Sequence, residues 1–356
     1  MKSLEFSLFK TKSPPGSPTF DLNDPKERRK YFDFKAGPEI AKIKQYLETG
    51  TFLAIMLAKK AAGKGVYTKL FIEALDTDRV VHLSAGDVVR DVHQLLETPE
   101  GKKELLMYLE KNYRGYISIE EGIQAILNRS TEKVSVPNEM MLALMKREID
   151  IHPNKTLFLD GFPRTLDQIS YSLFFRDLAG HRDDPDFFVL IDTPLNVIDE
   201  RLKNRVVCPV CSHPFNTRFH PSSKIEYDQK TKKFHILCDN PECKDARTII
   251  KEGDKLGIEA IKTRLEADGE LMFKAFTLYG VPKILLRNTV PVQEADQSID
   301  EYEMTSIYTF GWDEKEKKVT IDSRPWVVKD DQGRNCFVLS GPPIVVSLIK
   351  QLADLL

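Results

Sequence analysis

The stretch LAIMLAKKAAGKGVYTKLF, Leu53 to Phe71, decides how the rest of the chain is interpreted. The apolar run Phe52 to Leu57 predicts a buried strand, Gly63-Lys64-Gly65 follows, and Val66 to Leu75 then predicts a helix. A glycine beside a helix start lets backbone N–H groups approach an anion, and the helix dipole favours negative charge there. The stretch therefore predicts a phosphate-binding loop, although the pattern G-x-x-x-x-G-K-[ST] has a glycine where this chain has Ala58.

Three further apolar stretches predict more strands of the same sheet. They are RVVHLSAGD, TLFLDGF and DFFVLIDTP, and the last two are continuous enough to be buried on both faces. Helical spacing separates them, in GKKELLMYLEKNY, SIEEGIQAILNR, PNEMMLALMKREI and NVIDERLKNR. Strands that alternate with helices predict an α/β fold with a central parallel sheet covered on both faces.

The two ends of the chain differ from this alternating pattern. Residues 1–38 are rich in Pro and charge, and predict an extension with little structure of its own that docks its phenylalanines on the body. PEIAKIKQYLETG then predicts a helix that ends at Gly50. Near the other end, the tract from Met304 to Gly341 is β-like, and PIVVSLIKQLADLL predicts a terminal helix.

Composition excludes several classes of protein. With 356 residues, 41% hydrophobic and 30% charged, the chain is long enough for one large core or two ordinary ones. A net charge of −2 argues against a broad nucleic-acid-binding face. No apolar run reaches membrane-spanning length, and the N-terminus lacks the apolar core of a secretory signal. We expect a cytoplasmic monomer that binds neither nucleic acid nor a membrane.

Four of the five cysteines lie close together in the sequence, as Cys208-x-x-Cys211 and Cys238-x4-Cys243. Four thiolates at such spacing are typical of a structural zinc site, which leaves no open position for a substrate. Free thiols are the alternative, and His213 and His235 are the next candidate ligands. Crowded cysteines of this kind indicate a reducing compartment rather than a disulfide framework.

Polar clusters follow three of the predicted strands, where ligands of open parallel sheets bind. They are Gly63-Lys64-Gly65, Ser84-Ala85-Gly86-Asp87 and Asp160-Gly161-Phe162-Pro163-Arg164. Two aspartates at neighbouring strand ends are suited to hold the water shell of a magnesium ion. Arg90 and Arg164 supply planar guanidinium groups for a phosphate.

Several motifs in this order resemble those of the adenylate kinase family. LDGFPRTLDQ matches its signature, HLSAGDVVR resembles its monophosphate-binding segment, and VSVPNEMMLALM resembles the segment that closes that excursion. ERLKNRVVCPVCSHPFN resembles the arginine pair that leads into a zinc-bearing lid, and IEAIKTRLE resembles the helix after the lid. The resemblance runs from about Thr51 to Leu265, with a weaker match at LSGPPIVVSLIKQL.

The resemblance implies a P-loop kinase core and the reaction of ATP with AMP to give two ADP, with Mg²⁺. By position, the catalytic residues are Lys64, Asp160, Arg201, Arg205 and Arg264. The implied ATP-binding residues are Gly63, Lys64, Gly65, Val66, Arg201 and Gly341. The implied AMP-binding residues are Ala85, Asp87, Arg90, Val136, Gly161, Arg164, Gln168, Arg205 and Arg264. Asp87 and Asp160 would hold Mg²⁺ through water, and Cys208, Cys211, Cys238 and Cys243 would hold zinc.

The chain departs from the family pattern in the loop, at the monophosphate site and in the lid. Ala58 and Ala61 stand where glycines are usual, and Val66 replaces a threonine whose hydroxyl would help with the metal. Lys59 and Lys60 add charge beside the expected phosphates. Ala85 replaces a threonine that contacts the AMP base. The acidic pair of the lid is also missing, with Lys251 and Asp254 as imperfect substitutes.

These departures leave alternatives to an AMP kinase. One is a kinase for another nucleoside monophosphate, and another is a weakly active or inactive nucleotide-binding or interaction module. A zinc-ribbon nucleic-acid binder is disfavoured by the net charge. The predicted organisation is an extension (1–38), a core (39–83, 141–205 and 253–356), a monophosphate-binding excursion (84–140) and a zinc-binding lid (206–252).

Overall fold

A computed structural model describes residues 6–128, 136–162, 185–211, 213–219, 221–250 and 253–356. The helices, in chain order, are α1 (Pro25–Thr49), α2 (Lys64–Leu75), α3 (Ala85–Leu96), α4 (Pro99–Asn112), α5 (Ile119–Asn128), α6 (Asn138–Ile151), α7 (Leu195–Lys203), α8 (Lys262–Thr277), α9 (Ala295–Ser298) and α10 (Gly341–Leu355). The strands of the central sheet are β1 (Leu53–Ala58), β2 (Val80–Ser84), β3 (Thr156–Asp160), β4 (Asp186–Asp192) and β10 (Lys283–Arg287). The other strands are β5 (Arg205–Val207), β6 (Pro214–Asn216), β7 (Ile225–Asp228), β8 (Lys233–Ile236), β9 (Ile249–Ile250), β11 (Thr289–Pro291), β12 (Ser306–Asp313), β13 (Lys318–Pro325), β14 (Val327–Lys329) and β15 (Asn335–Val338).

The central sheet is parallel and five-stranded, in the order β10-β4-β1-β3-β2. Every residue of β1 is buried, because the pleat sends its side chains alternately into two cores. Ala54 and Met56 face the core formed with α1, α2 and α10, whereas Leu53 and Ile55 face the core formed with α3, α6 and α8. This is the α/β class that the sequence predicts.

The fifth strand was not predicted. In β10 the inward residues Ile284 and Leu286 are buried, but Lys283 and Arg287 flank them at the edge of the sheet. Short apolar runs between charged residues do not have the continuous pattern of a doubly buried strand. The apolar pattern that identifies the neighbouring strands therefore does not identify β10.

The N-terminal segment has more structure than the sequence predicts. Helix α1 begins at Pro25 and continues past Pro38, with a kink at Ala36 where φ is −147°. Proline lacks an N–H and its ring clashes with the preceding helical turn. The helix is therefore kinked before Pro38, but it does not end there. The predicted docking of phenylalanines is confirmed for Phe6 and Phe20, both of which are buried.

A buried polar cluster holds this segment to the C-terminal part of the chain. Glu303 accepts hydrogen bonds from Thr11 Oγ1 and Tyr31 OH, each 2.6 Å long. Lys35 Nζ lies 2.7 Å from Asp300 Oδ2. Burial raises the pKa of Glu303, whereas Lys35 and Ser13 outweigh the opposing effect of burial and lower the pKa of Asp300 to about 2.

Beyond the central sheet, the structure contains a cysteine-bearing β segment and a C-terminal β tract. The first comprises the sheet β6-β5-β9 and the hairpin β7–β8, and the second comprises the sheet β11-β15-β14 and the hairpin β12–β13. The β-like pattern predicted after Met304 is thus confirmed. Across the residues that the structure describes, no helix is both long and apolar enough to span a membrane.

Candidate active site and metal centre

The loop between β1 and α2 has the backbone of an anion site. Gly63 is the N-cap of α2, with φ of 109°, and the free N–H groups of the first turn of α2 follow it. Ala61 is left-handed, with φ of 65°, which costs an alanine about 1–2 kcal/mol. Ala58 ends β1 and is not among the left-handed residues. The expected strain therefore falls on one of the two alanines.

Lys64 lies across this loop. Its Nζ donates to the carbonyl oxygen of Ala58 at 2.9 Å and lies 3.7 Å from Asp160 Oδ1. Asp160 ends β3, so the sheet brings this carboxylate to the loop at the carboxyl edge of neighbouring strands. The ammonium and the N–H groups of α2 together offer positive charge to a phosphate group.

Gly65, Val66 and Gly341 lie around the start of α2. Gly65 has room for a side chain, since an added Cβ would lie 3.5 Å from the ring of His82. Val66 is exposed, so an apolar group occupies the surface where the family places a hydroxyl. A Cβ on Gly341 would lie 2.5 Å from Leu70 Cδ1, so this glycine allows α10 to approach α2 closely.

The second predicted carboxylate, Asp87, lies in the first turn of α3 and pairs with Arg90. It follows β2, and Ser84 at the end of β2 is in register with Asp160 on β3. Asp160 thus ends β3, and Asp87 follows the adjacent parallel strand β2. Their oxygen donors suit a hydrated Mg²⁺, which is held in proteins by one or two carboxylates and several waters.

The other residues expected at the monophosphate site differ in burial and backbone conformation. The methyl group of Ala85 is fully buried, and Val136 is half-buried against the same core. Gly161 is left-handed, with φ of 77°. Arg90 is exposed. Arg164 and Gln168 lie outside the described residues.

The three arginines around the lid occupy three different environments. Arg201 Nη1 donates to the carbonyl oxygen of Ala62 at 3.2 Å, so it contacts the phosphate-binding loop. Arg205 forms two hydrogen bonds of 2.6 and 2.7 Å with the buried carboxylate of Asp254. Arg264 is exposed in the first turn of α8. Of the two residues named as substitutes for the acidic pair of the lid, Asp254 therefore pairs with Arg205. Lys251 lies outside the described residues.

Sequence reasoning missed two carboxylates, Asp331 and Asp268, that contact the phosphate-binding loop. Lys59 is buried, and its Nζ lies 3.1 Å from Asp331 Oδ2. The N–H of Lys60 donates to Asp268 Oδ2 at 2.9 Å. The charge of Lys59 is therefore balanced by Asp331 and is not simply added to the phosphate site, as its sequence position suggests.

Asp192, at the end of β4, lies within the same group of charges. Burial raises its pKa to about 6, and the acidic groups of Asp330 and Asp331 act in the same direction. Lys59 and Arg287 oppose this shift. No sequence signal distinguishes Asp192 from other strand-end aspartates, because its environment is formed by residues distant in the chain.

The four clustered cysteines converge on one point. Their Sγ atoms all lie within 4.8 Å of one another, and those of Cys211 and Cys238 are 3.7 Å apart. A tetrahedral zinc ion with Zn–S bonds of about 2.3 Å requires sulfur atoms about 3.8 Å apart, so the cluster fits the ion. The backbone N–H of Cys211 first, and that of Val210 at 3.4 Å from Cys208 Sγ, outweigh the opposing effect of burial and lower the pKa of Cys208 to about 7. The histidines are not part of the cluster.

Comparison with known proteins agrees with this geometry. No protein-family model matches the chain. Among curated proteins, an adenylate kinase from Clostridium acetobutylicum is 31% identical over 173 residues, which are 48% of this chain and 67% of that protein. The chain belongs to the adenylate kinase family.

Two other curated members show how far the similarity extends. The adenylate kinase of Thermotoga neapolitana is 26% identical over 262 residues, which cover 73% of this chain and 98% of that protein. The adenylate kinase of Mycoplasma mobile is 30% identical over 178 residues, 49% of this chain and 66% of that protein. The protein is therefore a phosphotransferase of the nucleoside monophosphate kinase type, built on a P-loop kinase core.

Proposed function

We propose that this adenylate kinase family member transfers the γ-phosphoryl group of ATP to AMP, giving two ADP, with Mg²⁺. The proposal rests on one observation above all, the convergence of Lys64, Asp160 and Arg201 on the loop between β1 and α2. Phosphoryl transfer needs alignment and neutralisation of charge more than covalent participation by the protein. Two cations and a carboxylate beside a helix N-terminus supply both.

On the ATP side, Gly63, Gly65 and the N–H groups of the first turn of α2 bind the phosphates, and Lys64 bridges the β- and γ-phosphates. Lys64 Nζ now donates to the Ala58 carbonyl, an interaction that a phosphate oxygen replaces. Val66 and Gly341 complete the surface beside this turn. When Mg²⁺ is bound, it neutralises phosphate charge, and Asp87 and Asp160 are the residues that would hold it through water.

On the AMP side, we propose Arg90 and Arg164 as the phosphate-binding arginines and Gln168 as the residue that recognises the base. We place Gly161, Val136 and Asp87 around the monophosphate, with the buried Ala85 behind them. Arg201, Arg205 and Arg264 then surround the transferred group. Since Arg205 is paired with Asp254, it must exchange this partner for a phosphate as the lid closes. Closure excludes water from the γ-phosphoryl group.

The remaining proposals concern organisation. We propose that the four cysteines hold a structural zinc ion in a lid of residues 206–252, and that residues 84–140 form the monophosphate-binding excursion. Residues 1–38 are the extension, and the core comprises residues 39–83, 141–205 and 253–356. Zinc bound to four thiolates would fix the fold of the lid without taking part in the transfer.

The test is ADP formation from ATP with AMP, in the presence of Mg²⁺. Lys64→Met should lower kcat/KM about 100-fold or more, because it removes a cation that acts on the transferred charge. Lys69→Met is the matched control, since Lys69 is an exposed lysine on the same helix. Arg164→Ala should also reduce activity strongly while leaving the fold intact.

Ala85 favours a second candidate, a kinase for another monophosphate. Its buried methyl offers no hydroxyl to an adenine base. The same assay with GMP, CMP and UMP distinguishes the two, since the preferred acceptor gives the highest kcat/KM. A wild-type protein that binds ATP but phosphorylates none of these would show that it is a nucleotide-binding module instead.

A further inference from the structure

Asp331 connects two elements that both reach the phosphate-binding loop. It lies in the turn between β14 and β15, more than 250 residues from the loop in sequence. Its Oδ2 lies 3.1 Å from Lys59 Nζ, and its Oδ1 accepts the N–H of Leu195 at 2.8 Å. One carboxylate thus holds the first side chain after β1 and the first N–H of α7.

The contact with α7 supplies a cap that the helix lacks locally. Pro194 occupies the N-cap position and has no side chain able to accept a hydrogen bond. Helix N-termini leave unpaired N–H groups that carboxylates satisfy well. A second bond, from Asn196 Nδ2 to the carbonyl oxygen of Lys329 at 2.9 Å, attaches the same turn of α7 to β14. Because α7 carries Arg201, this attachment also places Arg201 beside the loop.

The contact with Lys59 is equally specific. The side chain of Lys59 is only 11% exposed, and its Nζ also lies 3.4 Å from the carbonyl oxygen of Thr193. A buried ammonium requires a charged partner or several acceptors. Asp331 is the only carboxylate that forms an ion pair with Lys59 among the residues that the structure describes.

The loop itself needs support of this kind. Ala61 is held in a left-handed conformation two residues after Lys59, and such strained residues persist only where their surroundings fix them. On the far side, Asp268 accepts the N–H of Lys60. Side chains from the C-terminal half of the chain therefore fix the loop at Lys59 and Lys60, next to the strained Ala61.

We propose that Asp331 is a positioning residue for the phosphate-binding loop, acting through Lys59 and the N-terminus of α7. The turn between β14 and β15 thereby sets the shape of the loop to which ATP binds. The effect of Asp331 on the shape of the loop does not depend on which reaction the protein catalyses. Its consequence for ATP affinity rests on the proposed function.

The first experiment measures amide hydrogen exchange at Lys60 and Ala62 in the nucleotide-free protein. Both amides are hydrogen-bonded, to Asp268 Oδ2 and to the carbonyl oxygen of Lys59 respectively. Asp331→Asn keeps an acceptor for Leu195 but removes the charge, and should speed exchange at both amides about tenfold. Asp331→Ala removes both contacts and should have a larger effect. Asp322→Asn, an exposed change on β13, is the control and should have none.

The second experiment measures nucleotide affinity by calorimetry. Asp331→Asn should weaken ATP binding about tenfold and leave AMP binding unchanged, which a general loss of stability would not do. In a Lys59→Met background, Asp331→Asn should add little, because the two residues act through one ion pair.

Unchanged exchange at Lys60 and Ala62 in folded Asp331→Asn, or fully additive effects with Lys59→Met, would overturn the inference. If Asp331→Asn does not fold, Asp331→Glu serves in its place, since it keeps the charge on a longer side chain and should alter loop exchange while remaining folded. Faster loop exchange in Asp331→Asn than in wild type, combined with a wild-type protein that binds no ATP, would support the positioning role and refute the proposed function.

Discussion

The loop of this kinase tolerates alanine at two glycine positions in different ways. Ala58 lies at the end of a strand and takes no unusual conformation, whereas Ala61 has φ of 65°. The steric cost of that conformation falls on Cβ, which glycine lacks. The folded state therefore carries strain at one identifiable residue next to the phosphate site.

Ala61→Gly should raise the free energy of unfolding by about 1 kcal/mol, because it removes the strain of a left-handed alanine. Ala62→Gly is the matched control. Ala62 is buried and is not left-handed, so its replacement should destabilise the protein by a similar amount. Urea unfolding of both variants measures the two effects. If both variants are destabilised equally, Ala61 is not strained in solution.

Asp192 provides a second residue with a measurable consequence. Its pKa of about 6 in the folded chain lies above its ordinary value of 3.8. The folded state therefore binds a proton more readily than the unfolded state. The stabilisation linked to this proton is complete below about pH 4 and is lost as the pH rises through 6.

Asp192→Asn should therefore increase stability near pH 7 by up to about 3 kcal/mol and have little effect near pH 4. The measurement is the difference in unfolding free energy between variant and wild type at both pH values. Asp322→Asn serves again as an exposed control. A loss of stability at pH 7 would show that Lys59 and Arg287 hold the ionised carboxylate more strongly than burial opposes it.

At this scale, sequence reasoning succeeds where the evidence is local. Gly63 and Lys64 are placed by the strand, turn and helix that contain them, and Asp160 by the strand that it ends. Asp331 and Asp268 could not be found in this way, because they reach the loop from more than 200 residues away. Arg205 and Asp254 show the intermediate case, since each was singled out in the sequence but their pairing with one another was not predicted.

At the scale of elements, the periodic helices and the apolar strands were predicted, and the errors occur where two signals compete. Pro38 suggests a helix start, yet α1 passes through it with a kink. β10 was missed because its charged ends conceal two buried residues. The convergence of the four cysteines was predicted, since ligand spacing is a stronger constraint than hydrophobic pattern.

The cysteine segment should contain about one zinc per chain, and Cys211→Ser should lower both zinc content and thermal stability. The physical reason is that so small a β segment, with the core residues Val206, Phe215 and Ile236, buries little apolar surface of its own. Cys336→Ser is the matched control, because Cys336 is a buried cysteine outside the cluster. Elemental analysis and thermal unfolding provide the measurements. Equal zinc content in the two variants would rule out this metal site.

At the scale of the whole molecule, the C-terminal hairpin β12–β13 contacts the cysteine-bearing segment. Trp312 stacks on Tyr227 at 4.7 Å between ring centroids, and Tyr308 donates its N–H to the carbonyl oxygen of Arg218. Next to the hairpin, Trp326 stacks on Phe219 at 3.7 Å. The proposed lid is therefore attached to the C-terminal tract in this structure, and its movement requires these contacts to separate.

Trp312→Ala should speed amide exchange in β7 and β8, because an aromatic pair contributes about 0.5–1.5 kcal/mol beyond burial, or up to about tenfold in an opening equilibrium. Thr309→Ala is the control, since Thr309 is exposed on the opposite face of the same strand. Exchange measured by mass spectrometry, with and without an inhibitor that joins two adenosines through phosphates, compares the free and closed states. Equal exchange in wild type and Trp312→Ala would mean that the hairpin does not restrain the lid.

The stacks of Trp312 on Tyr227 and of Trp326 on Phe219 give the protein an intrinsic fluorescent probe. The chain has only two tryptophans, and both rings rest on aromatic side chains between residues 206 and 252. Indole emission depends on the surrounding polarity and on ring contacts, so separation of the stacks changes its wavelength and intensity. Fluorescence of the unlabelled protein therefore reports any separation of this segment from the C-terminal tract, with no tryptophan elsewhere to obscure the signal.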